Sequence, residues 1–183
     1  MITLVLGGTR SGKSQVAERI AARSVGPVTY VATGRATDEE MAARIAAHRS
    51  RRPGHWATLE AGSDLPSVLR DLSGTALVDA LGTWVAAVPN MDVDVASLCN
   101  ALQGRPGDTI VVSEEVGLGV HPTTKVGRRF ADVLGTLNQA VADVADAVWL
   151  VIAGRAMPVH YVPGDPSGQH RRTDHPDQTG EER

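Results

Sequence analysis

The chain reads as an α/β protein: a mostly parallel β-sheet flanked by helices on both faces. Three observations predict it. Short apolar runs recur along the chain, helical patterns lie between them, and a glycine-rich turn at 7–14 joins the first run to the first helix. The runs Ile2–Leu6, Val28–Ala32, Thr75–Asp79, Thr109–Ser113 and Ala147–Ile152 are nearly continuous in hydrophobicity, as strands covered on both faces should be. Ser14–Ser24 carries Val16, Ala17, Ile20 and Ala21 on one side of a helix. Thr37–Arg52 opens with a capping box, Thr37 to Glu40, in which each side chain satisfies an otherwise unpaired N–H. Leu65–Leu72 and Asp94–Leu102 read as shorter helices, the second stopping near Gly104. The last, about Arg128–Ala145, sets Phe130, Leu134, Leu137, Val141 and Val144 at alternating spacings of four and three, one continuous apolar stripe.

With 183 residues, the expectation is a single catalytic domain over 1–162. Hydrophobic residues make up 42% but aromatics only 3%, so the core must be built from Val, Leu, Ile and Ala. A net charge of −3 gives no reason to expect nucleic acid as a partner. Cys99 is the only cysteine, so no internal disulfide forms and a reducing, cytoplasmic setting fits; its place on a helix flank is that of a small buried hydrophobe. No apolar stretch approaches the length of a membrane span, and no basic stretch precedes Ile2–Leu6 as in a secretory leader. From Pro163 to Arg183 apolar residues almost vanish, and a flexible polar tail is expected. His160, His170 and His175 lie in or near it without metal-ligand spacing.

Gly7-Gly8-Thr9-Arg10-Ser11-Gly12-Lys13-Ser14 is a P-loop, and it stands directly behind the first strand. The glycines let the backbone turn tightly and aim its N–H groups at phosphate oxygens. Lys13 reaches the β- and γ-phosphates, and the Ser14 hydroxyl suits Mg²⁺. The helix that follows adds the positive end of its dipole. The predicted fold is therefore of P-loop NTPase type, RecA-like, and the expected ligand is a nucleoside triphosphate. Such a site needs a carboxylate at the end of a neighbouring strand to hold Mg²⁺. Asp79 closes one apolar run, and Glu114-Glu115 close another; of these Asp79 is the stronger candidate metal residue and Glu115 an open one. Ala32-Thr33-Gly34 ends a further strand at the same edge, suited to a phosphate and equally to an ordinary turn.

Arg44, His48 and Arg52 are spaced i, i+4, i+8 on the helix opened by Thr37, with Arg49 and Arg51 beside them. Guanidinium groups hold phosphate oxygens while a neutral imidazole attacks phosphorus. The same spacing also describes a core histidine packed beside Met41 and Ile45, and the pattern alone does not choose. His55, between Pro53-Gly54 and Trp56, reads as a loop-packing residue.

Taken in order, the P-loop, Tyr30-Val31-Ala32-Thr33, Asp38-Glu39-Glu40-Met41 and Arg44-Ile45 with His48-Arg49 resemble the bifunctional adenosylcobinamide kinase/adenosylcobinamide-phosphate guanylyltransferase family. The likeness continues through Trp56-Ala57-Thr58-Leu59-Glu60, Leu77-Val78-Asp79, Trp84-Val85, Glu115-Val116-Gly117-Leu118-Gly119, Arg129-Phe130-Ala131-Asp132, Gly135 and Asn138-Gln139. The resemblance implies two steps of cobalamin assembly. ATP or GTP phosphorylates the aminopropanol hydroxyl of adenosylcobinamide, and GTP then donates GMP to that phosphate through a guanylylated histidine, here His48. It also implies nucleotide contacts from Gly8 to Ser14, at Ala32, Thr33 and Gly34, at Arg49, Ser50, Arg51 and Arg52, at Glu60 and at Asp79, and a homo-oligomer, a trimer. Glu114 stands where the family usually has Asn, and the polar tail has no counterpart in it.

Overall fold

The computed structural model describes residues 1–34, 39 and 52–161. The sheet among them is built from β1 (Ile2–Gly7), β2 (Val28–Ala32), β3 (Ala57–Glu60), β4 (Thr75–Asp79), β5 (Thr109–Glu114), β6 (Ala147–Ile152) and β7 (Arg155–Pro158). The helices are α1 (Lys13–Ala21), α2 (Leu65–Asp71), α3 (Leu81–Ala87), α4 (Val95–Gly104) and α5 (Lys125–Val144). Strand order is β3-β2-β4-β5-β1-β6-β7, parallel throughout except for the antiparallel β7.

All five apolar runs are strands. Alternation divides their side chains between two cores. Leu4, Val31, Val78 and Val111 face one way, into a core completed by Leu65, Leu69, Leu81, Trp84, Leu98, Leu102, Leu134, Leu137 and Val141 of α2 to α5. Val5, Tyr30, Leu77, Ile110 and Val112 face the other way, onto Val16, Ala17 and Ala21 of α1 and onto Trp56. The sandwiched sheet is the expected α/β arrangement. Asp64, Asp94 and Thr124 cap α2, α4 and α5 by accepting from the N–H groups of Ser67, Ser97 and Gly127. Capping by Thr124 starts α5 three residues ahead of the expected Arg128.

Besides a 3-10 turn at Pro89–Met91, three elements among the described residues were not expected. The strands β3 and β7 are four residues long with every side chain exposed, so burial left no mark on them. The loop between β6 and β7 is Ala153-Gly154, both with positive φ (50° and 76°), the geometry of a tight hairpin. The third is α3, whose N-cap is Ala80. The capping box Thr37–Glu40 and most of the helix it opens, with Arg44, His48, Arg49, Ser50 and Arg51, lie outside the described residues. The tail 163–183 does so too.

Arg105 locks the opposite end of the sheet. It is 8% exposed. Its guanidinium donates to the carbonyls of Leu69, Leu72, Gly74 and Asp108 and to the Thr109 hydroxyl, at 2.6–3.4 Å. Burial pulls its pKa below the usual value and the nearby Asp108 charge raises it in part.

Candidate active site

In parallel register, Gly7 lies opposite Glu114, and Ala32 lies opposite both Asp79 and Glu60. The carboxyl ends of β1 to β5 thus form one edge, where α/β sheets bind ligands. Gly12 caps α1 with φ +92°, and a Cβ on it would come within 3.1 Å of the Gly154 backbone, so both conformation and contact demand glycine. It has no side chain to occupy the first-turn N–H groups of α1. The loop is braced within itself and from β6–β7: Ser11 N–H donates to Gly8 O, and Gly154 N–H to Ser11 O at 2.7 Å. Gly8, Thr9 and Arg10 are exposed, whereas Ser11 to Ser14 are half-buried.

The reactive groups meet at this loop. Lys13 Nζ lies 3.6 Å from Glu114 Oε1 and donates to Gly8 O at 3.5 Å. The Lys13 side chain is only 12% exposed and that of Glu114 28%. Glu114 is fixed from behind: its Oε2 accepts from Gly82 N–H at the start of α3, and its carbonyl accepts from Asn138 Nδ2 on α5. Asn138 Oδ1 accepts in turn from the Ser113 hydroxyl. Ser14 Oγ donates to Asp79 Oδ1 at 3.2 Å, and Tyr30 OH donates to Asp79 Oδ2 at 2.9 Å. Burial first, and the Asp79 charge second, push the Tyr30 phenol far above its usual range, so it remains a proton donor to that carboxylate. The Arg52 guanidinium stacks 3.5 Å from the Tyr30 ring centroid, which puts the end of the arginine-rich stretch beside the same cluster.

The sequence candidates separate here. Lys13, Ser14 and Asp79 come together as expected. Glu114, and not Glu115, reaches the P-loop lysine; the Glu115 carboxylate accepts from the N–H groups of Gly117 and Leu118, both at 2.8 Å, and shapes the loop after β5. Thr33 is 2% exposed. Its hydroxyl is committed to Ala80 and Thr83 and its N–H points to Asp79 O, which makes it a brace between β2 and β4. Glu60 ends β3 exposed at the same edge. His55 is exposed, while its neighbour Trp56 packs into the α1-side core. Cys99 is half-buried and its thiol points to Ala140 O at 3.5 Å; burial, with Asp143, raises its pKa.

The oxygen donors fit a hard cation. Mg²⁺ takes one or two carboxylates together with substrate phosphates and waters, and the Ser14 hydroxyl and Asp79 carboxylate offer such a pair beside the phosphate loop. Among the described residues no three His, Cys, Asp or Glu gather to hold a metal unaided.

Comparison with known proteins gives the fold and the family. A prototypical ATPase from the type III secretion system of pathogenic bacteria matches with TM-score 0.52 at 11% identity; the match covers 81% of this chain and half of that one, a likeness of fold alone. The bifunctional adenosylcobalamin biosynthesis protein CobP of Pseudomonas aeruginosa is 43% identical over 168 residues, covering 87% of this chain and 97% of its own. The bifunctional CobU proteins of Salmonella typhimurium and Escherichia coli are 36% and 35% identical, each over 84% of this chain and 97% of theirs. The model of the cobinamide kinase / cobinamide phosphate guanyltransferase family matches residues 3–159, the P-loop, Asp79 and His48 included. The chain is a member of that family of enzymes.

Proposed function

We propose that this chain phosphorylates the aminopropanol hydroxyl of adenosylcobinamide with ATP or GTP, then joins GMP from GTP to the new phosphate to give adenosylcobinamide-GDP and pyrophosphate. The observation that carries the reading is the convergence of Lys13, Ser14, Asp79 and Glu114 on the phosphate loop. The N–H groups of the loop and of the first turn of α1 take the phosphate oxygens, and Lys13 turns from Glu114 to the β- and γ-phosphates. Ser14 and Asp79 would hold Mg²⁺, which offsets charge on the triphosphate when bound. The acceptor oxygen bonds to the γ-phosphorus as the bond to the β-phosphate oxygen breaks. Glu114 stands where it can take the hydroxyl proton as Lys13 leaves it.

For the second step two anions would repel each other if they met directly. A nucleophilic imidazole divides the transfer: His48 displaces pyrophosphate from GTP, and the acceptor phosphate then displaces His48 from the GMP. Arg52, stacked on Tyr30 beside Asp79, supports the approach of the His48 segment to this edge. Gly7 to Ser14, Ala32 to Gly34, Arg49 to Arg52, Glu60 and Asp79 make up the proposed nucleotide-binding set, in which Thr33 acts through its brace to Ala80. A single half-buried thiol fits a cytoplasmic enzyme. Exposed Ile152, Met157, Val159 and Tyr161 at the β7 edge fit a homo-oligomer, a trimer by the resemblance.

The test supplies adenosylcobinamide with ATP, then GTP, and follows the corrinoid products. Wild type should give the phosphate ester first and the GDP ester only after GTP. Lys13→Ala should depress both. Absence of a phosphorylated corrinoid with wild type would refute the reading.

A further inference from the structure

On the α5 side of the sheet, a cavity of about 520 Å³ opens between the loop after β5 and the half-buried flank of α5 that carries Ala131, Gly135 and Asn138. Its volume lies in the range of small-ligand sites, roughly 300–1,000 Å³. Leu6 forms part of its wall, one residue before the phosphate loop begins. Glu115 forms another part and ties β5 to that loop by donating its N–H to Gly7 O at 3.1 Å. Asn138 spans the two sites: it lines the cavity and holds the main chain of Glu114, whose carboxylate faces Lys13.

Gly135 lies mid-helix on α5, where glycine costs up to about 1 kcal/mol relative to alanine. Nothing among the described residues asks for it. It lacks a positive φ, and a Cβ there would meet no atom within 4 Å. What it faces is the cavity, along with Asp132, Asn138 and Gln139 on the same side of the helix. Exposed Leu118 and Val120 stand on the loop that forms the opposite wall.

We infer that this cavity receives the corrinoid acceptor, taking one amide-bearing rim of the macrocycle so that the aminopropanol arm passes Glu114 toward the γ-phosphate. The inference rests on the function proposed above and names the place of its second substrate. The chemistry matches: acetamide and propionamide side chains both donate and accept, as do Gln139 and Asn138, and Asp132 accepts. Leu118 and Val120 offer apolar surface to the flat ring. The cavity is too small for a whole corrinoid, so most of the ring lies outside it, against the loop. Gly135 keeps the cavity open at the expense of helix propensity.

Equilibrium dialysis with adenosylcobinamide, read by its visible absorbance in the presence of a non-hydrolysable ATP analogue, tests this. Gly135→Leu directs four carbons toward the cavity, the first of them with no described atom within 4 Å, and should weaken corrinoid binding at least tenfold. Gln139→Ala, an exposed position that cannot unfold the helix, should weaken it several-fold. Binding of the ATP analogue should change less than twofold in both. Undiminished corrinoid binding by Gln139→Ala and by folded Gly135→Leu would overturn the cavity assignment and leave the proposed reactions standing. Wild type that neither binds nor phosphorylates adenosylcobinamide would instead overturn both.

Discussion

Replacing Asp79 tests the site's chemistry and its packing with two variants that should diverge. The carboxylate accepts from Ser14 Oγ through one oxygen and from the Tyr30 hydroxyl through the other. Asp79→Asn keeps the shape. Its carbonyl oxygen still accepts from Tyr30 and its amide now donates to Ser14, so the fold should lose less than about 1 kcal/mol. What disappears is the negative charge beside the phosphate loop. Loss of one fixed electrostatic contact, such as an oxyanion-hole donor, costs about 10²–10³ in kcat, or roughly 2.7–4 kcal/mol, and a loss of that order is expected here. Asp79→Ala removes the acceptor as well and leaves the Tyr30 hydroxyl, on a residue only 6% exposed, without that partner. That should cost the fold a further 1–3 kcal/mol or so. Urea unfolding and steady-state phosphorylation of adenosylcobinamide at varied Mg²⁺ measure the two effects separately. Asp79→Asn with wild-type kcat and an unchanged Mg²⁺ requirement would refute the role assigned to this carboxylate.

Three further outcomes follow from other parts of the fold. Glu114→Gln retains an acceptor for Gly82 N–H and should melt like wild type, yet phosphorylate adenosylcobinamide roughly 10²-fold more slowly in kcat if the carboxylate takes the hydroxyl proton. Arg105→Lys keeps the charge but cannot serve five acceptors, and losing at least two charge-assisted bonds should lower urea stability by roughly 3–6 kcal/mol with little change in nucleotide affinity. Tyr30 gives a pH dependence. Its phenol ionises near 10 in the unfolded chain and well above that in the fold, so its contribution is complete below pH 10 and falls as pH rises further. Tyr30→Phe should flatten the loss of stability above pH 10, as read by urea titrations at stepped pH.

The legible parts of this fold were those on which burial leaves a mark. Four strands run through the core and β6 lies half-buried at its side, all five with nearly continuous apolar sequence, whereas β3 and β7 expose all four side chains and are recognisable only by the strands they pair with. The β6–β7 hairpin turns on an alanine with positive φ, where Asn or Gly is the usual sign. Leu81–Ala87 lacked a capping residue because the amide of Gly82, in its first turn, is satisfied by Glu114 from another strand. Asp79 could be read as the carboxylate that ends a buried run. Glu114 and Glu115 could not be ranked, since only the register opposite Gly7 and the turn at Gly117 decide which one faces Lys13. A hydroxyl such as that of Thr33 looks alike in sequence whether it meets phosphate or braces two strands. Arg105, in a Gly-Arg-Pro-Gly stretch, reads as a solvated loop cation until five acceptors close around it.

Covalent labelling by GTP tests the central claim of two reactions in one chain most directly. Protein incubated with GTP radiolabelled at the α-phosphate and no corrinoid should acquire a label that is acid-labile and base-stable, as expected of a phosphorus–nitrogen bond to imidazole. The label should leave to adenosylcobinamide phosphate on addition and be absent from His48→Ala, which should still form the phosphate ester. An unlabelled wild type that nevertheless completes adenosylcobinamide-GDP, or a label that survives His48→Ala, would contradict the account.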